Sequence, residues 1–180
     1  YEMLRSLVGS EMCIRDSFVL VKTSNPSSGE LQDMKLETNE SVYEHMGKMC
    51  EGWGEDLMGK HGYSAVGAVV GATYPEQLGE MRAKLPHTFF LVPGYGAQGG
   101  GADDVKNAFD ENGLGAIINS SRGIMCAWKK QGLTEDDFAV AARKEAERMR
   151  DEIVGCIGKI KHISIILSRY KFFRTNTVCC

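Results

Sequence analysis

The chain has 180 residues, 43% hydrophobic and 25% charged, with a formal net charge of -3. Such a length and composition fit one globular domain with a substantial core, and the charge gives no general attraction for nucleic acid. No apolar run reaches the roughly 18–20 residues of a membrane helix, so neither nucleic acid nor membrane is expected as a partner.

Residues 1–17 read YEMLRSLVGSEMCIRDS. They lack a charged leader running into an apolar stretch, so they are not a signal peptide. The text SLVGSEMCIRDS resembles translated sequencing-adapter sequence. On that reading the segment is non-native and the protein begins further upstream; a frayed native helix is the alternative.

From Phe18 the chain falls into a strand–helix rhythm. FVLVKT, Phe18–Thr23, is a short apolar strand closed by the polar loop SNPSSGE. Glu40–Met58 carries Val42, Met46, Met49, Trp53 and Leu57 at spacings of three and four, which predicts a helix with that apolar face. Gly52 and Gly54 weaken its second half. Tyr63–Gly71 is a second strand, and Pro75 opens a helix to about Lys84. Thr88–Val92 is a third strand and Asp103–Glu111 a third helix, with Val105, Ala108 and Phe109 turned inward and Gly113 ending it. Leu114–Asn119 is a fourth strand, followed by a short helix over Ile124–Lys130. Thr134 caps a last helix, with Asp137 completing a capping box. Phe138, Ala142, Ala146, Met149 and Ile153 form its stripe. The remaining residues, 158–180, are basic and β-branched and end in two cysteines; they read as a final strand or as text beyond a frame error.

Strands apolar throughout belong to a parallel sheet covered on both faces. Repeated strand–helix units make right-handed βα connections, and eight would close a barrel. The four here make an α/β half barrel with two open edges, or one that closes on a second copy. A Rossmann-like open sheet competes, but its phosphate glycines should follow the first strand as GxGxxG. Here they follow the third.

The chemistry concentrates at two strand ends, LVPGYGAQGG and GAIINSSRGI. Gly94, Gly96, Gly99, Gly100 and Gly101 leave backbone N–H groups open to an anion, the following helix adds its N-terminal end, and Gln98 offers an amide. A plain tight turn would need the same glycines. Arg122, just past the fourth strand, presents a planar fork suited to phosphate; a surface salt bridge is the bland alternative. Pro93 either walls the pocket or merely ends its strand. Thr23, Ser24 and Asn25 either bond a heterocycle edge or cap the turn before Pro26. Lys22 either points into a barrel near the site or reaches outward, and is not read as a catalytic amine. His45, His61, His87 and His162 lack metal-ligand spacing, so no metal is expected. The six cysteines show no CxxC pair, which reads as free thiols in a reducing, cytoplasmic compartment; Cys50 and Cys126 pack rather than react.

Four stretches in order, VLVKTSNPSSGELQD, VGAVVGATYPEQL, LVPGYGAQGG and GAIINSSRGI, resemble the orotidine 5'-phosphate decarboxylase family in its longer bacterial form. The resemblance runs from Phe18 to Cys156 and takes 18–157 as the C-terminal half of the barrel. It implies a (β/α)8 TIM barrel working as a homodimer. It implies conversion of orotidine 5'-monophosphate to uridine 5'-monophosphate and carbon dioxide, in pyrimidine biosynthesis, with no cofactor or metal. Ser24 falls where the family places a hydroxyl beside the pyrimidine ring. Pro93 and Gly94 open the phosphate-side loop, Gln98 reaches ribose-phosphate, and Arg122 with the Gly123 backbone grips phosphate.

The family's catalytic Asp-x-Lys-x-x-Asp segment is missing. Asp33 and Lys35 stand as Asp-x-Lys, but Thr38 occupies the second aspartate's place and they lie in the loop after strand one. No catalytic residue is therefore assigned, and the chain alone is expected to be inactive. The alternatives are a phosphate-binding half-barrel module without catalysis, and a barrel isomerase or aldolase acting on a sugar phosphate.

Overall fold

The computed structural model of the protein describes residues 17–96 and 99–158. The expectations for residues 1–16, Gln98 and residues 159–180 lie outside the described residues.

The first half of the described chain runs β1 (Ser17–Lys22), α1 (Gly29–Gln32), α2 (Val42–Gly54), β2 (Val66–Val70) and α3 (Pro75–Lys84). The second half runs β3 (Phe90–Pro93), α4 (Ala102–Val105), β4 (Ala116–Asn119), α5 (Ser121–Met125), α6 (Ala127–Lys130) and α7 (Phe138–Ile157). The strands form one sheet in the order β1-β2-β3-β4, every neighbouring pair parallel. Sequential order with no reversal is the arrangement of a barrel wall; a Rossmann sheet reverses at its switch point.

Alternation along the strands sends one set of residues into the helix layer and the other to the opposite face. Val21, Ala68, Val70, Phe90 and Val92 belong to the core shared with the helices. Phe18, Leu20 and Ile117 occupy the other face and are exposed. The sequence reads as a sheet covered on both sides, but the described residues cover only one.

Helix α2 starts where the sequence favours it. Ser41 and Glu44 form a reciprocal capping box, the Ser41 hydroxyl accepting from Glu44 N–H and the Glu44 carboxylate from Ser41 N–H. Its buried face differs from the expected stripe. Tyr43, Gly47, Cys50 and Gly54 are buried, whereas Met49, Trp53 and Leu57 stand exposed. Close approach is the reason: a Cβ at Gly47 would lie 2.3 Å from Met81 Cε on α3, and one at Gly54 2.3 Å from Ser64 Oγ. Gly47 and Gly54 thus belong to the contact surface, whereas Gly52 is exposed with open space beside it. Cys50 is sealed within it, and burial pushes its thiol up to about 11.

Helix α3 occupies its expected span, with Pro75 in its first turn. Its Arg82 is buried and donates to the carbonyls of Leu85, Gly115 and Thr88, the last at 2.8 Å. The guanidinium lies 4.1 Å from the Phe90 ring centroid and ties the approaches to β3 and β4 together.

The third helix is shorter than expected: α4 is one turn, continued by a 3-10 turn over Lys106–Ala108. Val105 and Ala108 are buried, and Phe109 packs against the core from extended backbone. Helix α7 buries Ala141, Ala146, Met149 and Ile153, while Phe138 remains exposed. It packs across α4, α5 and α6 and ends at Gly158 in the left-handed conformation. The described cysteines Cys50, Cys126 and Cys156 are free thiols. Among the described residues no helix is long and apolar enough to cross a membrane.

Candidate functional site

The ends of β3 and β4 meet at a cavity of about 210 Å³ lined by Pro93, Gly94, Tyr95, Asn119, Ser120, Ser121 and Arg122. The Ser120 hydroxyl is buried and donates to the Tyr95 carbonyl at 2.9 Å, locking the two strand ends together. A Cβ at Gly123 would lie 2.4 Å from that hydroxyl, so a larger residue there would displace it. Gly123 occupies the first turn of α5, where backbone N–H groups lack partners within the helix. The Arg122 side chain is exposed at the cavity, and none of the ion pairs among the described residues uses it. The cavity is smaller than the roughly 300–1,000 Å³ of a cleft that encloses a whole small-molecule ligand. It has room for one end of such a molecule.

The glycine loop behaves differently from its sequence reading. Gly94, Gly96 and Gly99 have φ of 103°, 75° and 96°, conformations that need glycine. Three of the loop's described amides, however, already donate to its own backbone. Gly96 N–H bonds Gly100 O at 2.7 Å, Gly99 N–H bonds Gly96 O at 3.1 Å, and Gly100 N–H bonds Gly94 O at 3.3 Å. Gly101 N–H donates to the Asp104 carboxylate at 2.7 Å. The one-turn α4 also carries Asp103 and Asp104 in its first turn, so its N-terminal end is already answered by negative charge. Arg122 is the positive charge at the cavity.

Tyr95 holds this loop to the last helix. Its hydroxyl donates to Glu152 at 2.8 Å, and Arg148 pairs with the same carboxylate. Burial, followed by the Glu152 hydrogen bond, pushes the Tyr95 phenol up to about 12. The two residues lie 57 apart in the chain, and no sequence pattern signals the contact.

Ser24 lies at the end of β1, separated from the cavity in sheet order by the end of β2. Its carbonyl accepts from Thr73 Oγ1 at 3.4 Å. A Cβ at Gly71 would come within 2.9 Å of the Ser24 backbone, so β2 and the β1 loop touch. Pro93, Gly94 and Arg122 are therefore brought together, and Ser24 flanks them across β2.

Lys22 takes neither course expected of it. A register shift between Leu20 and Lys22 turns it to the helix side of the sheet, where its side chain is fully buried. Its ammonium lies 2.6 Å from Asp33 Oδ1. Asp33 is thus engaged with Lys22, and Lys35 pairs with Glu44 at 3.7 Å. Among the described residues no cluster of His, Cys, Asp or Glu could hold a metal ion.

No family model matches the chain. An orotidine 5'-phosphate decarboxylase of Rhodopirellula baltica is 44% identical over 152 residues, covering 81% of this chain and 50% of that protein. One of Clostridium tetani is 45% identical over 140 residues, covering 78% and 48%. Among solved structures, OMP decarboxylase of Leishmania donovani matches with a TM-score of 0.56 at 33% identity, over 76% of this chain and 47% of that one. UMP synthase of the same organism matches with a TM-score of 0.56 at 34% identity, over 78% and 27%. The chain spans about half the length of the curated relatives it matches.

Proposed function

The chain belongs to the orotidine 5'-phosphate decarboxylase family, and on that premise we propose that it supplies the phosphate-gripping half of a decarboxylase site. The shared cavity at the ends of β3 and β4 carries this reading. The Arg122 guanidinium binds the phosphate of orotidine 5'-monophosphate, helped by the Gly123 backbone N–H. Pro93 and Gly94 wall the same cavity. Gln98 reaches the ribose-phosphate, and Ser24 bonds the pyrimidine across β2.

In the whole enzyme, a TIM barrel completed by four further βα units and working as a cytoplasmic homodimer, the bond from C6 to the carboxylate breaks. Carbon dioxide leaves and its bonding electrons stay on C6. A lysine of the Asp-x-Lys-x-x-Asp segment, outside this chain, delivers the proton that completes uridine 5'-monophosphate. The residues here contribute binding: phosphate held far from C6 fixes where the pyrimidine lies. No cofactor or metal takes part.

Two measurements test the reading. Titration calorimetry of the 180-residue chain should show uridine 5'-monophosphate binding that Arg122→Ala weakens about 10–100-fold, the worth of hydrogen bonds to a charged group. The purified chain should release no carbon dioxide from orotidine 5'-monophosphate. Undiminished binding by Arg122→Ala defeats the phosphate assignment, and measurable turnover defeats the assignment of the catalytic groups elsewhere.

A further inference from the structure

We infer that the Lys22–Asp33 ion pair, in which a buried ammonium meets an exposed carboxylate, is a positioning element for the base side of the site: it closes the loop that carries Ser24 and so governs recognition of the pyrimidine, leaving the phosphate grip untouched. The inference rests on the placement of Ser24 beside the base proposed above.

Lys22 is the last residue of β1 and has no solvent exposure. A buried ammonium must be paired or it strongly destabilises its surroundings. Its partner, Asp33, lies 11 residues on, just beyond α1. The rings of Tyr74 and Tyr43 enclose the ammonium at 4.8 and 5.4 Å from their centroids. The pair therefore fastens both ends of the intervening loop at one point, buried on the Lys22 side and open to solvent at Asp33.

Inside that closure the loop is ordered by its own side chains. Thr23 N–H donates to Gln32 Oε1 at 3.0 Å, Thr23 Oγ1 bonds Asn25 Oδ1 at 2.5 Å, and Asn25 Nδ2 bonds Ser27 Oγ at 2.8 Å. The second support comes from β2. Gly71 N–H donates to the Lys22 carbonyl at 2.7 Å, and Thr73 Oγ1 donates to the Ser24 carbonyl. Tyr74, which covers the ammonium, directly follows Thr73 in the chain. Lys22, Tyr74, Thr73 and Ser24 thus form one connected assembly. None of these residues lines the cavity at the ends of β3 and β4. Loosening the pair acts on Ser24 and leaves Arg122 in place.

The test compares uridine 5'-monophosphate with ribose 5-phosphate, which lacks the base, by calorimetry on the 180-residue chain. In Asp33→Asn the preference for the nucleotide should fall about tenfold, the scale of one lost hydrogen bond. Affinity for ribose 5-phosphate should be unchanged, which shows that the fold survives. Lys22→Met should produce the same selective loss, and Asp33→Glu should restore part of it. Amide exchange at Thr23 and Gly71 should quicken in Asp33→Asn while Val92 keeps its protection. A nucleotide preference that survives Asp33→Asn, or equal loss of both ligands, overturns the inference alone. Wild-type protein that binds both ligands equally overturns the placement of Ser24, and the inference with it.

Discussion

On the helix-covered face of the sheet Val21, Val70, Phe90 and Val92 are sealed from solvent, whereas on the opposite face Phe18, Leu20 and Ile117 stand at 43%, 64% and 38% exposure. Strand β1 supplies residues to both sets, with similar side chains. Apolar character on both sides is the mark of a strand buried on both faces, as in a barrel wall. The helix layer satisfies one side. The other is patterned for the packed interior that eight strands enclose, and this chain spans about half the length of its curated relatives. Hydrophobicity alone therefore does not locate a core; the neighbouring element does.

The largest effect should separate the two faces directly. Phe90→Ala should cost about 3–5 kcal/mol, because a large buried ring leaves a cavity. Leu20→Ala should change stability by less than about 0.5 kcal/mol, as at an exposed site. Urea denaturation of both variants measures the contrast. Equal losses would break it and show the open face covered in solution.

Acid should act next, and on the helix layer. Hydrogen bonds from Lys84, then from the Ser41 hydroxyl and backbone, hold the Glu44 carboxyl down from an ordinary 4.5 to about 2. A carboxylate with a lowered folded pKa stabilises above its unfolded value, and that contribution drains away as pH falls from about 4.5 towards about 2. Denaturation midpoints followed across that window should decline in the wild type and flatten in Glu44→Gln. An unchanged slope in Glu44→Gln would remove the α2–α3 clasp, Lys84 to Glu44 at 2.5 Å, from the account of how this layer is held.

The smallest effect belongs to the edge of the layer. Tyr95→Phe removes one hydrogen bond to Glu152, which keeps Arg148 as a partner, so the cost should be about 1 kcal/mol. Amide exchange should show α7 loosening before the strands. A loss above about 3 kcal/mol would instead make the α7 contact part of the central core.

Much of the architecture is legible in the residues. Strand–helix alternation, Pro75 opening α3 and the paired strand ends LVPGYG and IINSSR follow from local rules, and the parallel order of β1 to β4 agrees with them. The family follows from four strand ends in series. The face of α2 was not legible, because Gly47 and Gly54 look like defects until Met81 and Ser64 are placed against them. Nor was the link from Tyr95 to Glu152, which joins distant parts of the chain.

The sequence by itself determined the kinds of element, their order, and the residue types gathered at the strand ends, since these depend on periodicity and on the φ preferences of glycine and proline. Only the tertiary structure decided that the register shift at Lys22 sends its charge into the helix layer beside Asp33. It alone decided that the amides of Gly96, Gly99, Gly100 and Gly101 bond within their own loop and its capping Asp104, with Arg122 as the cation at the cavity. Register and hydrogen-bond pairing are set by partners far along the chain, and no local pattern carries them.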